Sequence, residues 1–306
     1  MHLPKRVWVT DVGPRDGFQI EKAFIPTDVK VRVVDRLAEA GLPAIEVTSF
    51  VNPKRVPQMR DAEEVMARIE RRPGTSYQVL VPNQRGVERA IAARADQINV
   101  VVSASESHNR ANLGMSIEQS LQGLDAAIRM ATTAGVRAHG GISVAFGCPF
   151  EGLVPVDRVI SIAGRLLSSG AGGITLADTT GMANPREVAE VVAAVRSALP
   201  GAEIHCHFHN TRGMGLANVL AALGEGVVHF DASLAGMGGC PFAPGATGNI
   251  VTEDLVHMLE GMGIETGIDL ERLLCVAREL EATIGRPLPG QVMKAGPSSV
   301  RHPVPA

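Results

Sequence analysis

Short runs of apolar and β-branched residues alternate with stretches of helical periodicity along nearly the whole chain. In residues 159–167 the apolar positions recur at spacings of three and four, which is typical of a helix with one buried face. A second helix is predicted to begin at Asn184, because an N-cap residue, a first-turn proline and the capping-box residue Glu187 follow one another there. Strands are predicted at 7–12, 44–50, 77–81, 97–103, 140–146, 173–178, 203–209 and 228–234.

About eight β-α units in succession, with no linker-like stretch between them, predict an α/β fold that is a single (β/α)8 TIM barrel. An open, doubly wound sheet is the alternative. We expect residues 1–263 to form the barrel as a catalytic domain. Residues 264–306 are expected to add a helix, from 264 to about 284, and an irregular tail packed on the barrel.

The composition of the chain limits the kinds of molecule that it is expected to bind. The chain has 306 residues with a net charge of −3 and 3% aromatic residues, which gives little basis for binding nucleic acid. No apolar run approaches the roughly 20 residues that a membrane span needs, and the first residues lack a signal-peptide core. The four cysteines are scattered without a C-x-x-C pair, as suits a reducing compartment. We therefore expect a cytoplasmic protein that binds neither nucleic acid nor membranes.

Residues 204–210, with the sequence IHCHFHN, place three histidines at alternate positions of a predicted strand. Alternate residues of a strand point to one face, so His205, His207 and His209 should share a face. Neutral imidazole is a common metal ligand, and two neighbouring imidazoles can bind one divalent ion. Accidental repetition of a core histidine is the competing interpretation. The pattern favours a metal site.

Polar residues also follow the carboxyl ends of the other strands. They support a metal site at this end of the barrel, because barrel active sites lie on the loops that follow these strand ends. Oxygen ligands from Asp16 and Asn249, together with two imidazoles, would suit Mg²⁺ or Mn²⁺, with Zn²⁺ also possible. The other candidates at these ends are Arg15, Glu46, Asp178 and Cys240.

Three of these candidates have competing interpretations. The sequence GPRDG around Arg15 can also be a plain turn, since Gly, Pro and Asp favour turns. Glu46 lies within an apolar strand, and a buried carboxylate needs a partner, for which Arg15 is the natural candidate. Cys240 lies in a glycine-rich loop, where it can transfer protons or fill space, and the same loop can also bind phosphate.

One carbon–carbon mechanism is excluded by the lysines. A Schiff-base aldolase needs a lysine inside the barrel, and none of the five lysines falls in a predicted strand. Carbon–carbon chemistry in this chain would therefore depend on the metal.

Four stretches resemble the hydroxymethylglutaryl-CoA lyase family of the metal-dependent DRE-TIM superfamily. They are GPRDGFQIEK (13–22), EAGLPAIEVTSFVNPKRVPQM (39–59), GCPFEG (147–152) and GGCPFAPGATGNIVTEDLVHMLEGMGI (238–264). The resemblance runs from about residue 7 to residue 285. It implies a barrel that cleaves hydroxymethylglutaryl-CoA to acetyl-CoA and acetoacetate with Mg²⁺ or Mn²⁺.

The resemblance also implies roles for individual residues. Arg15 would stabilise charge on oxygen, and Cys240 would take part in proton transfer. The first base is left open between Asp178 and a water molecule on the metal. The implied metal ligands are Asp16, His207, His209 and Asn249; the supporting acidic residues are Glu46 and Asp178; and the lysines within reach of CoA phosphates are Lys22 and Lys54.

The chain departs from the family pattern at Asn210, Arg55, Phe150 and Phe242, and His205 is an additional histidine. None of these positions is an implied metal ligand, but they change the polar lining of the pocket. Alternatives for the function are therefore a lyase for citramalyl-CoA or a longer-chain glutaryl-CoA derivative, a condensing synthase, or a non-catalytic binding protein. A homodimer or higher homo-oligomer is expected from the resemblance.

Overall fold

The structure, a computed structural model, describes residues 3–239 and 248–301. Within these ranges eight parallel strands pair in chain order, and the last pairs with the first through Trp8–His229 to Asp11–Ala232. The predicted TIM barrel is confirmed, and the open sheet is wrong. The strands are β1 Trp8–Asp11, β2 Ala44–Ser49, β3 Ser76–Leu80, β4 Gln97–Ser103, β5 Arg137–Ser143, β6 Ile174–Asp178, β7 Ile204–Phe208 and β8 His229–Ala232.

Helices follow the strands and cover the outside of the barrel. The predicted helix after Asn184 is present, and the Asn184 side chain accepts bonds from the first-turn amides as its capping box requires. No helix of the described ranges is long and apolar enough to cross a membrane. The helices are α1 Thr27–Glu39, α2 Ala62–Arg68, α3 Gln84–Ala92, α4 Glu106–Leu113, α5 Ile117–Thr133, α6 Val156–Ser168, α7 Pro185–Ala198, α8 Gly215–Gly224, α9 Thr252–Gly261, α10 Leu270–Ile284 and α11 Val292–Ala295.

Two boundaries differ from the sequence prediction. Strand β5 begins at Arg137 rather than at residue 140, and it ends before Val144, whose φ of 52° is incompatible with a strand. The helix predicted from 264 begins at Leu270, because Gly267 has a φ of 76° and Asp269 caps the helix by accepting from Arg272 N. The earlier start of β5 places His139 within the sheet.

The barrel interior is unusually polar for a packed core. Along β4, Ile98 and Val100 are fully buried, whereas Asn99 donates hydrogen bonds to Glu46 of β2 and Gln78 of β3. Side chains that meet across three neighbouring strands must share one face of the sheet, here the inside of the barrel. This interior leads directly to the carboxyl ends of the strands.

Candidate metal and catalytic site

Asp16, His207 and His209 meet at the carboxyl end of the barrel. One ligand atom from each lies within 4.8 Å of the others, and the two imidazole rings have centroids 5.1 Å apart. Asn249 joins them, since its Nδ2 donates to Asp16 Oδ2 at 2.8 Å. The four implied metal ligands therefore lie together. His205, in contrast, lies away from this group and contacts Glu203.

Two buried ligand atoms of this group have no hydrogen-bond partner among the described residues: His209 Nδ1 and Asn249 Oδ1. Burial and the neighbouring His207 lower the pKa of His209 to about 3, so its ring is neutral at physiological pH. Burial would raise the pKa of Asp16, but the neighbouring Arg15 and, after it, His207 lower it. A neutral imidazole, an ionised carboxylate and an unpaired amide oxygen are suitable ligands for a divalent cation.

Arg15 lies beside this group in a short turn, Gly13–Gly17, that follows β1. Its Nε donates to Glu46 Oε2, and its Nη1 donates to Asp16 Oδ1 at 2.6 Å. Burial opposes the charge of Arg15, yet the attraction of Glu46 and Asp16 raises its pKa. The partner expected for Glu46 is therefore Arg15. Two N–H groups anchor the guanidinium, and its other donors are available for a substrate oxygen.

Asp178 ends β6 with one carboxylate oxygen engaged and one unpartnered. Its Oδ1 accepts from Met182 N at 2.8 Å and Ala183 N at 3.2 Å, whereas its buried Oδ2 has no partner among the described residues. Burial outweighs these bonds and raises the pKa of Asp178 to about 6. A carboxylate with a pKa this close to neutrality can accept and release a proton at physiological pH.

Two polar residues of the site were missed by the sequence analysis. Asp231 of β8 places its Oδ2 3.3 Å from His207 Nδ1, and Asn99 donates to Glu46 Oε1 at 2.9 Å. Both stand beside apolar residues of their strands, as Glu46 does, and that polar interruption is the signal that could have found them. Asp231 fixes the ring of His207, as second carboxylates commonly do for metal-binding histidines.

Replacing Asp231 by asparagine is expected to weaken Mn²⁺ binding about 10- to 100-fold, the usual effect of losing such a support. The amide keeps the size of the side chain but loses the charge that orients and polarises His207. Isothermal titration calorimetry with Mn²⁺ measures the change. Asp125→Asn, on the exposed surface of α5, is the matched control. An unaltered Mn²⁺ dissociation constant in D231N would remove Asp231 from this role.

Two buried carboxyl groups support the loops beneath the site. Asp11 accepts from Gly13 N at 2.8 Å and from Thr252 Oγ1 at 2.6 Å, which ties the turn carrying Arg15 to α9. Glu253 accepts from Ala235 N at 3.1 Å, where Ala235 has a left-handed φ of 55°. Burial raises the pKa of Asp11 to about 7 and that of Glu253 to about 8.

The raised pKa of Glu253 predicts a pH-dependent stability. The folded-state pKa is about 8, against the ordinary glutamate pKa of 4.5, so the stabilisation is present below about pH 4.5 and is lost as the pH rises towards 8. Glu253→Gln mimics the neutral form, so its melting temperature relative to wild type is expected to rise between pH 5 and pH 9. Thermal denaturation measures this, with the exposed Glu190→Gln as control. A difference that stays constant with pH would contradict the prediction.

The remaining predicted residues lie around this centre or outside the described ranges. Lys22 and Lys54 are both exposed on the loops after β1 and β2. Gln58 connects these loops by donating to the carbonyl oxygen of Lys22 at 3.3 Å. Asn210 accepts from Gly215 N at 3.0 Å and so holds the first residue of α8. Cys240 and Phe242 lie outside the described residues.

Comparison with known proteins identifies the relatives of this site. A family model described as HMGL-like matches residues 6–280. The mitochondrial hydroxymethylglutaryl-CoA lyase of Rattus norvegicus is 48% identical over 272 residues, covering 89% of this chain and 84% of the rat protein. Hydroxymethylglutaryl-CoA lyase YngG of Bacillus subtilis is 44% identical over 299 residues, covering 98% of this chain and 100% of YngG.

Solved structures agree with these relatives. The Bacillus subtilis HMG-CoA lyase superposes with a TM-score of 0.94 at 43% identity, covering 96% of this chain and 99% of that one. An Acinetobacter baumannii HMG-CoA lyase in complex with coenzyme A and 3-methylmalate gives 0.94 at 46% identity, covering 98% of both chains. The resemblance found in the sequence is confirmed, and with it the carbon–carbon lyase class. The chain belongs to the hydroxymethylglutaryl-CoA lyase family.

Proposed function

We propose that this protein cleaves hydroxymethylglutaryl-CoA to acetyl-CoA and acetoacetate with residues at the carboxyl end of the barrel. The observation that carries the proposal is the meeting of Arg15 with the group Asp16, His207, His209 and Asn249. The relatives from rat and Bacillus subtilis, both named as lyases for this thioester, support the choice of substrate.

Asp16, His207, His209 and Asn249 are the residues that would hold a divalent ion. The unpartnered His209 Nδ1 and Asn249 Oδ1 support this assignment. Mixed nitrogen and oxygen ligands without a thiolate fit Mg²⁺ or Mn²⁺ as well as Zn²⁺. When bound, such an ion supplies positive charge that stabilises negative charge on a substrate oxygen.

Asp178 is the proposed base. Its unpartnered Oδ2 takes the proton from the tertiary hydroxyl of the substrate, and its pKa of about 6 suits this transfer at neutral pH. The oxygen electrons then form the ketone, and the bond between the carbons α and β to the thioester breaks. Its electron pair passes to the thioester as an enolate, and acetoacetate is the ketone product.

Arg15 stabilises the charge on oxygen before this bond breaks. Glu46 and Asp16 hold the guanidinium in place, so its remaining donors are directed without reorganisation during the reaction. Because its pKa is raised, Arg15 keeps its charge at neutral pH. Glu46 therefore positions Arg15 and does not itself need to touch the substrate.

Cys240 is the proposed proton donor to the enolate, which completes the release of acetyl-CoA. Cys240→Ser is expected to lower kcat about 100-fold, within the usual range for losing a general acid. Steady-state turnover measures the loss, and Cys275→Ser, on α10, is the matched control. A C240S enzyme with the wild-type kcat would exclude the thiol from proton transfer.

Binding of the CoA portion is assigned to the loops after β1 and β2. Lys22 and Lys54 are exposed there and carry charge suited to CoA phosphates. The structure of the Acinetobacter relative with coenzyme A supports a CoA thioester as the ligand. A cytoplasmic location and a homo-oligomer stay predictions.

A lyase for a shorter hydroxyacyl-CoA is the second candidate. It is favoured by the 3-methylmalate in the Acinetobacter relative, a diacid one carbon shorter than hydroxymethylglutarate. Phe150, at a position where the family pattern has tyrosine, leaves one fewer hydroxyl on the loop after β5, where its ring is exposed.

The deciding experiment compares turnover of hydroxymethylglutaryl-CoA and citramalyl-CoA by metal-stripped protein, with and without Mg²⁺ or Mn²⁺. Metal-dependent release of acetyl-CoA and acetoacetate, with the higher kcat/KM for hydroxymethylglutaryl-CoA, supports the proposal. A higher kcat/KM for citramalyl-CoA would replace the substrate and keep the site. No turnover of either thioester by protein that binds Mn²⁺ would overturn both candidates.

A further inference from the structure

A second group of potential metal ligands lies at the amino-terminal ends of the barrel strands. One ligand atom from each of His139, Glu203 and His205 lies within 4.8 Å of the others. The rings of His139 on β5 and His205 on β7 have centroids 4.3 Å apart, and His205 Nε2 lies 2.9 Å from Glu203 Oε1. We call these three residues the lower cluster. The proposed reaction uses none of them.

The rings of the lower cluster are held by their neighbours. His229 of β8 stacks on His205, with ring centroids 4.4 Å apart and an angle of 8° between the planes. Thr175 Oγ1 lies 2.9 Å from His139 Nε2. The Thr175 hydroxyl therefore fixes the ring of His139, and the stacked His229 ring fixes that of His205. Contacts of this kind orient the ligands of metal sites before the ion binds.

The charge state of the lower cluster suits a cation. Burial and the neighbouring His205 lower the pKa of His139 well below its usual value, so this ring is neutral at neutral pH. The hydrogen bond with His205 lowers the pKa of Glu203, which keeps its carboxylate ionised. Glu203 is also 38% exposed in its side chain, which gives an ion a route from solvent.

We propose that His139, Glu203 and His205 form a second metal site that binds a divalent transition-metal ion of the Zn²⁺ class. Two imidazoles and one carboxylate are a common ligand set for Zn²⁺. An ion held by His205 Nε2 and Glu203 would displace the proton that the two now share, and this proton would move to the other ring nitrogen or to solvent. The ion would join β5 to β7 at the end of the barrel where residues usually serve stability.

The test counts Zn²⁺ ions per chain by elemental analysis after equilibrium dialysis of the intact protein. Wild type is expected to hold two equivalents, Asp16→Asn one, Glu203→Gln one, and the double variant none. Glu190→Gln, on the exposed surface of α7, should keep both. A wild type with one equivalent that disappears in Asp16→Asn would overturn the second site, and so would two equivalents in Glu203→Gln.

This experiment tests the proposed catalytic site and the lower cluster separately. Loss of the ion from Asp16→Asn reports on the proposed catalytic group, and loss from Glu203→Gln reports on the lower cluster. Glu203→Gln is expected to lower the Zn²⁺ affinity of the lower cluster at least tenfold. Even the loss of a residue that only supports a metal ligand costs about 10- to 100-fold in affinity. The Mn²⁺-dependent turnover of Glu203→Gln should equal that of wild type.

A gain-of-binding variant separates this proposal from simple loss of folding. Arg137 places its Nη2 3.9 Å from Glu203 Oε1, with a side chain that is 69% exposed, and its charge competes with a cation. Arg137→Gln should tighten the second Zn²⁺ by roughly fivefold or more, because two unit charges about 4 Å apart in water interact by about 1 kcal/mol and the ion carries twice the unit charge. His139→Gln should abolish this ion. A weaker second Zn²⁺ in R137Q would contradict the ligand assignment.

Discussion

Arg15→Gln is expected to lower kcat for cleavage of hydroxymethylglutaryl-CoA about 1,000-fold. The substitution removes a donor aimed at the developing negative charge, and single donors of this kind are worth about 100- to 1,000-fold in kcat. It also leaves Glu46 buried without its partner. Removing one member of a buried ion pair costs about 3–5 kcal/mol of stability. Steady-state turnover and urea denaturation measure the two effects separately.

The double variant Arg15→Gln, Glu46→Gln distinguishes catalysis from folding. It restores neutrality to the pair, so it should recover part of the lost stability but none of the lost kcat. Arg68→Gln, which breaks only the exposed ion pairs with Glu64 and Asp28, is the control and should match wild type in both measurements. Recovery of kcat in the double variant would show that Arg15 acts only through the fold.

His209→Ala is expected to lose the catalytic metal and to lower kcat about 1,000-fold. Bound metal contributes several kcal/mol of charge stabilisation, and about 4 kcal/mol corresponds to this factor. The position is suitable because His209 Nδ1 has no hydrogen-bond partner among the described residues, so the variant breaks no bond of that atom. Elemental analysis after dialysis against Mn²⁺ measures the loss of bound metal.

His257→Gln is the control for His209→Ala, since His257 lies on α9 and its Nε2 is hydrogen-bonded to Ser298. It should retain one equivalent of Mn²⁺ and full turnover. Circular dichroism verifies that both variants are folded. One full equivalent of Mn²⁺ in H209A would remove His209 from the ligand group.

Much of the barrel could be predicted because the sequence signals are local. Alternating strand and helix patterns defined the (β/α)8 order, and the N-cap at Asn184 gave a helix start that the structure reproduces. The alternation of His207 and His209 placed both rings on one strand end. Because barrel active sites lie at the carboxyl ends of the strands, Asp16 and Asn249 could be predicted to lie near these two histidines, and they do.

Contacts between distant strands could not be predicted in the same way. Asp231 meets His207 across β7 and β8, and the pairing register decides which of the polar residues of β8 faces it. His139 lies just outside the strand predicted at 140–146, because a histidine before two glycines does not continue the apolar pattern that marks a strand. Without His139 in the sheet, His205 had no evident partners, and its role stayed open.

Because Trp8 stacks on His229, its fluorescence reports on the amino-terminal end of the barrel. Trp8 is the chain's one tryptophan, 39% exposed, with its ring 5.1 Å from that of His229, which in turn stacks on His205. Indole fluorescence therefore comes from this neighbourhood alone. A paramagnetic ion such as Co²⁺ held by the lower cluster would quench that emission, so its occupancy could be followed in real time while the opposite end of the barrel turns over substrate.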